Sequence, residues 1–214
     1  VLEREVSARN ASGARLRIRA AGFPATKTLD DFDFDAQPAI RNQIAALASG
    51  AFLTEARNIV LLGPPGTGKT HLATGLGVIA ARHGHRVLFA TATDWVTRLT
   101  DAHRAGRLAH ELTRLRRYGL IIIDEVGYLP FEQDAANLFF QLVSSRYEHA
   151  SLSLTSNWPC SGWGGVFGDQ AVAAAMMDRV VHHADVLTLK GASYRLRNRG
   201  IDTLPSIRTQ DAAD

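Results

Sequence analysis

One stretch constrains this chain more than any other: Asn58-Ile-Val-Leu-Leu-Gly-Pro-Pro-Gly-Thr-Gly-Lys-Thr-His-Leu72. An apolar run feeds a glycine-rich loop, which ends in Lys69-Thr70 and passes into a helical pattern. Gly63 to Thr70 fit G-x-x-x-x-G-K-[ST], the spacing of a phosphate-binding loop. Gly66 and Gly68 let the backbone curl so that successive N–H groups face phosphate oxygens. Lys69 brings positive charge to the β- and γ-phosphates, and the Thr70 hydroxyl is a ligand for Mg²⁺. The helix that follows aims its positive end at the same anion. Context supports the match. Ile59 to Leu62 read as a buried parallel strand, Leu72, Leu76, Ile79 and Ala80 recur at helical spacing, and Gly84 stands where a C-cap belongs. The expected nucleotide contacts are Gly63, Pro64, Pro65, Gly66, Thr67, Gly68, Lys69, Thr70 and the next residue, His71.

Composition narrows the class. A length of 214 residues suits one sizeable α/β domain. Hydrophobic and charged shares of 46% and 21% are those of a soluble globular protein. No apolar run approaches the roughly 20 residues a membrane helix needs, and Val1-Leu-Glu-Arg-Glu-Val6 has no signal-peptide core. A cytoplasmic protein without a membrane partner is expected. Val1 is the start expected of a chain that continues upstream or of an unusual start codon. The single cysteine, Cys160, leaves no internal disulfide and reads as a packed residue. A net charge of +3 and a pI near 9.3 are mildly basic, so where the charge sits matters more than its sum.

Residues 1–22 hold Arg4, Arg9, Arg15, Arg17 and Arg19 and read as a helical arm or linker, either a solvated face or a nucleic-acid contact. Phe32 and Phe34 alternate, so an extended segment points both rings one way, into the core or against an adenine pocket. Pro38 opens a helix that Gly50 closes, with Ile40, Ile44 and Leu47 on one face. Arg86–Ala90 is a second strand, and Thr93 or Asp94 caps the helix of Trp95, Val96 and Leu99. From His103 to Arg117, Leu108, Leu112 and Leu115 form an apolar stripe, while Arg104, Arg107, Arg114, Arg116 and Arg117 form a basic remainder. That is either a solubilised packed helix or a DNA-backbone contact.

Leu120-Ile-Ile-Ile-Asp124-Glu125 then reads as a buried strand with acids at its C-terminal end, the edge where open parallel sheets bind ligands. Asp124 suits a carboxylate that holds Mg²⁺ through water. Glu125 suits the general base that polarises the attacking water. A helix over 135–149, a strand over 151–157, a Trp- and Gly-rich loop over 158–169, a helix over 171–183 and a strand over 186–189 complete the pattern. Asn157, at the end of the fourth strand, is either a turn former or a hydrogen-bond donor to the water or γ-phosphate. His182-His183 are adjacent on a helix and share no face. There is no HExxH, no G-x-S-x-G and no repeat.

Gly63-Pro-Pro-Gly-Thr-Gly-Lys-Thr-His-Leu72, Ile121-Ile-Ile-Asp-Glu-Val-Gly-Tyr-Leu-Pro130 and Leu154-Thr-Ser-Asn157 together resemble an AAA+ ATPase of the DnaC/IstB group. The resemblance is closer to the IstB-like ATP-binding helper proteins of bacterial insertion sequences. Phe23–Phe34 resembles their lead-in segment; Trp163–Asp169, Met177–Arg179 and Gly191–Arg195 resemble their tail. The likeness covers residues 15–197. It implies an α/β fold: an AAA+ P-loop three-layer sandwich on a five-stranded parallel sheet, without a full helical lid. The chain is expected to divide into a basic arm or remnant of a longer N-terminal domain at 1–22, an ATPase core at 23–197 and a polar tail at 198–214. The resemblance implies ATP and Mg²⁺ as cofactors, a homo-oligomer formed with ATP, double-stranded DNA and a transposase as partners, and target selection as the purpose. It implies Asn157 as a γ-phosphate sensor, Arg179 as an arginine finger reaching a neighbour's ATP, Arg195 as a nucleotide-state sensor, and a DNA-facing role for the basic stretch after the second strand. The loop reads Asn157-Trp-Pro-Cys-Ser-Gly-Trp163 where the family has Asn-Leu-Pro-Phe-Ser-Glu-Trp. A helicase loader of the DnaC kind and an idle DNA-binding remnant are the alternatives.

Overall fold

The computed structural model describes residues 2–194. Five short apolar runs form the strands: β1 (Asn58–Leu62), β2 (Val87–Thr91), β3 (Leu120–Val126), β4 (Ser151–Ser156) and β5 (Ala184–Thr188). They make one parallel sheet in the order β2-β3-β4-β1-β5. Parallel neighbours need crossovers, and the helices supply them. The crossover helices are α4 (Lys69–Arg82), α5 (Ala92–Arg104), α6 (Leu108–Leu115), α7 (Gln133–Arg146), α8 (Trp163–Phe167) and α9 (Gln170–Val181), while α1 (Leu2–Ala20), α2 (Arg41–Leu47) and α3 (Ala51–Thr54) precede β1.

Strand alternation divides the core in two. Ile59, Leu61 and Ile122 pack with Leu72 and Leu76 of α4, Ile44 of α2 and Phe52 of α3. Val60, Leu62, Ile121 and Ile123 pack with Trp95 of α5, Phe139 and Leu142 of α7, and Met176 of α9. The result is the expected three-layer sandwich. β4 lies between β1 and β3, so its C-terminal end stands between the phosphate-type loop and the acid pair.

Several local expectations change. The residues from Pro38 to Gly50 do not form one helix. Pro38–Ile40 is a 3₁₀ turn, α2 ends at Leu47, and Gly50 (φ 81°) starts α3. Phe32 and Phe34 do not lie on an extended segment. The Asp31 carboxylate accepts from Thr28 N and Oγ1, Asp33 caps a 3₁₀ turn at Phe34–Ala36, and the two rings meet edge-on at 4.8 Å. The cap of α5 is Thr91, which exchanges bonds with Asp94 in a capping box. The basic stretch is two helices, because Gly106 (φ 66°) breaks the chain between α5 and α6. The 158–169 loop contains α8, held because Trp163, Val166 and Phe167 are buried.

The arm is one helix whose end joins the core. Arg17 Nε donates to Ala81 O of α4, Ala21 is fully buried, and Ala21 O accepts from Phe89 N of β2. Arg146, 1% exposed, was unforeseen. Its guanidinium donates to Leu115 O, Tyr118 O and Ser151 O, tying the end of α6 to the start of β4. Burial lowers its pKa to about 10.

Candidate active site

The loop from Gly63 to Gly68 joins the C-terminal end of β1 to α4. Gly63 has no room for a side chain: a Cβ there would stand 2.3 Å from Leu189 O. One at Gly68 (φ 102°) would stand 2.5 Å from the Phe32 ring. Lys69, 7% exposed, curls back so that Nζ donates to Gly63 O at 2.7 Å and to Pro64 O at 2.8 Å. Thr67 Oγ1 also donates to Pro64 O, and Pro64 and Pro65 form an exposed crest.

Two segments flank this loop. On one side, His71 Nε2 lies 2.7 Å from Thr28 O and the His71 ring meets Phe32 edge-on, so His71 fastens the lead-in segment to α4. On the other, Tyr194 N donates to Gly66 O at 2.9 Å. Gln37 joins the two segments. Its amide donates to Lys190 O at 2.6 Å and accepts from Lys190 N at 3.2 Å.

The acids occupy a β-bulge. β3 and β4 pair in register to Ile123↔Leu154 and again at Val126↔Ser156, so Asp124 and Glu125 together oppose Thr155. Glu125 has φ 61°, a left-handed conformation that costs a side-chain-bearing residue about 1–3 kcal/mol and persists only where its surroundings impose it. Thr155 Oγ1 imposes it by accepting from Glu125 N at 3.0 Å while donating to Asp124 Oδ1 at 2.5 Å. Thr70 Oγ1 lies 3.0 Å from each Asp124 oxygen. Asp124 is thus buried and held by two hydroxyls, whereas Glu125 is exposed at the open edge. The Thr70 hydroxyl and Asp124 carboxylate are hard oxygen donors, a set that fits Mg²⁺.

Asn157 follows β4 and is exposed. Its turn is locked to the turn after β3: Ser156 Oγ donates to Val126 O, and Trp158 Nε1 donates to Gly127 O. The sheet therefore brings together Lys69, Thr70, Asp124, Glu125 and Asn157. It does not bring Arg179 to them. The Arg179 and Val180 carbonyls face Asn58 Nδ2, at the opposite end of β1, and the guanidinium lies 4.5 Å over the Phe140 ring. Arg195 lies outside the described residues, as does any lid or tail beyond it.

A family model described as IstB-like ATP binding protein matches residues 1–201. This chain belongs to the IstB-like ATP-binding proteins. An ATP-binding protein of insertion sequence IS21 from Pseudomonas aeruginosa is 45% identical over 199 residues, 92% of this chain and 75% of that relative. Among solved structures, AMPPCP-bound DnaA from Aquifex aeolicus superposes with a TM-score of 0.67 at 18% identity, covering 83% of this chain and 54% of that one. The DnaC helicase loader superposes with a TM-score of 0.62 at 19% identity, covering 81% and 99%. At such identities these two likenesses concern the fold alone, an AAA+ P-loop domain.

In this IstB-like chain the five candidate DNA-contacting arginines are all exposed on or beside α5 and α6. Arg114 differs from the rest: with Arg98 it holds Glu111, which is 9% exposed, and so clamps α6 to α5. Burial alone would raise the Glu111 pKa, but hydrogen bonds and charge from Arg114 and Arg98 hold it below the ordinary carboxylate value. His182 and His183 lie past the end of α9, so helical spacing does not govern them, and their rings approach to 4.1 Å beside Glu148. All three are exposed, and Tyr147 Oη already lies 2.8 Å from His182 Nδ1. No helix among the described residues is long and apolar enough to cross a membrane.

Sequence reasoning missed Thr155 and Gln37. Thr155 left a signal in the polar alternation Ser151, Ser153, Thr155 within a central strand, where both faces are covered and apolar residues are the rule. Gln37 left none, since its partner is a backbone 153 residues away.

Proposed function

We propose that this IstB-like protein hydrolyses MgATP at a site shared between two copies, and that the cycle lets it assist its insertion sequence's transposase in choosing target DNA. The observation that carries the hydrolytic part is the run of hydrogen bonds Thr70–Asp124–Thr155–Glu125, which joins the phosphate-type loop to a carboxylate held out toward the open edge. The triphosphate lies along Gly63–Thr70, where Lys69 exchanges its bonds to Gly63 O and Pro64 O for phosphate oxygens. Thr70 and Asp124 are the residues that would hold Mg²⁺, which would supply positive charge to offset that of the phosphates. Glu125 accepts a proton as the water oxygen bonds to the γ-phosphorus, and the bridging oxygen leaves on ADP. Asn157 hydrogen-bonds the water or the γ-phosphate, Arg179 enters from a neighbouring copy, and Arg195 reads the nucleotide state. The relatives' insertion-sequence context supports the transposition role, with double-stranded DNA and a transposase as partners in the cytoplasm.

Lys69→Ala is expected to weaken ATP binding by about 10- to 100-fold, since a charge-assisted hydrogen bond contributes about 1.5–3 kcal/mol. Isothermal titration checks this, and unchanged affinity overturns the placement of the triphosphate. DNA contact runs through Arg104, Arg107, Arg116 and Arg117, which are in no ion pair among the described residues. Replacing Arg107, Arg116 and Arg117 with alanine is expected to weaken duplex binding and to flatten log Kd against log salt by about one per lost phosphate contact. An unaltered salt slope moves DNA to another face.

A further inference from the structure

We infer that Thr155 is the positioning residue that makes Glu125 competent as a base, through a hydroxyl that ties the two halves of the acid pair together. This rests on the hydrolytic reading above.

In an unbulged strand Asp124 and Glu125 would point to opposite faces of the sheet. The extra residue in β3 leaves Thr155 without a single backbone partner between Ile123↔Leu154 and Val126↔Ser156. Bulges beside active sites re-aim side chains in this way. The conformation that re-aims Glu125, φ 61°, is one that glycine adopts readily and glutamate does not. Something must hold it, and the Glu125 N–H goes to Thr155 Oγ1.

A hydroxyl has one proton to give and lone pairs to accept with. Thr155 uses both capacities, giving its proton to Asp124 Oδ1 and accepting the Glu125 N–H. Since the same Asp124 carboxylate lies within hydrogen-bonding distance of Thr70 Oγ1, the loop, the metal-holding acid and the base share one network. Thr155 is 1% exposed and its hydroxyl is engaged by Asp124 and the Glu125 N–H, so it acts through those two residues. Asparagine or glycine at 125 would tolerate the backbone but would not be a base. The enzyme needs a carboxylate in a conformation unfavourable to it, and a β-branched hydroxyl in the neighbouring strand resolves the conflict.

The test uses the full chain with Thr155→Val and Thr155→Ser, each alone and with Glu125→Gln. Thr155→Val is expected to keep the ATP dissociation constant within about threefold and to lower the single-turnover rate about 10²-fold, the scale of a misplaced catalytic group. Thr155→Ser, which keeps the hydroxyl, is expected to recover most of that rate. Should the valine variant not fold, Thr155→Ala carries the same expectation. In the Glu125→Gln background, Thr155→Val is expected to add less than about threefold, because residues acting as a unit are not additive. Three results overturn the inference: a valine variant that turns over at the ordinary rate, a serine variant as slow as valine, or a full further loss on top of Glu125→Gln. An unsubstituted chain that never hydrolyses ATP, at any protein concentration and with or without DNA, overturns the hydrolytic reading and this inference together.

Discussion

Glu125→Gln is expected to bind ATP as tightly as the unsubstituted chain and to hydrolyse it about 10²- to 10⁴-fold more slowly. The substitution keeps the shape of the side chain and its backbone hydrogen bond to Thr155, so the bulge and the loop stay as they are. What it removes is the group that takes the water's proton. The Asp124 network is untouched, because Glu125 joins it through its backbone. Binding and chemistry therefore separate in this variant. Single-turnover hydrolysis measured beside equilibrium ATP titration gives both numbers, and a rate within a few-fold of the original removes Glu125 from the mechanism.

Arg179→Ala is expected to lose about 10³- to 10⁵-fold in rate, as for an arginine finger, with ATP affinity and folding little changed. Position is the reason. The Arg179 carbonyl sits beside Asn58 at the start of β1, and the phosphate-type loop begins after Leu62 at its end, roughly 13 Å on at about 3.3 Å per residue. Its guanidinium rests on Phe140 at 4.5 Å, so it does not serve the loop of its own chain. That stacking contributes about 0.5–1 kcal/mol to folding. The predicted rate loss corresponds to roughly 4–7 kcal/mol of transition-state stabilisation. A variant that melts slightly earlier but hydrolyses normally shows Arg179 to be a packing residue. One that folds, binds ATP and stalls shows it to be a finger.

The loop, the five strands and the acid pair were legible because each is local. Apolar runs, glycines and an N-terminal helical turn announce themselves over a few residues, as Ile59–Thr70 and Leu120–Glu125 do. What was not legible depends on partners far away in the chain. The order that inserts β4 between β1 and β3 leaves no trace in periodicity, and the bulge is hidden because Leu120–Val126 reads as one unbroken strand. Thr155 gains its meaning only from that insertion and that bulge. Gly50 (φ 81°) does stop the helix that begins near Pro38, its N–H bonding to Leu47 O, and what the sequence hides is that the same residue also caps α3. The cap of α5 lies at Thr91, ahead of the expected Thr93 or Asp94, because Thr91 still belongs to β2 while its side chain already caps the helix. Arg146 reads as an ordinary polar residue near a helix end, and only the fold shows three carbonyls converging on it.

The shared site is tested most directly by mixing two silent variants. Glu125→Gln retains a finger to give, and Arg179→Ala retains a base and a loop to receive it. Each alone is expected to hydrolyse ATP at a small fraction of the original rate. An equimolar mixture, at a protein concentration where copies associate, is expected to recover a substantial part of it, because some sites then pair an intact Glu125 with an intact Arg179. A mixture as silent as its components, or an Arg179→Ala variant that hydrolyses normally by itself, contradicts the account.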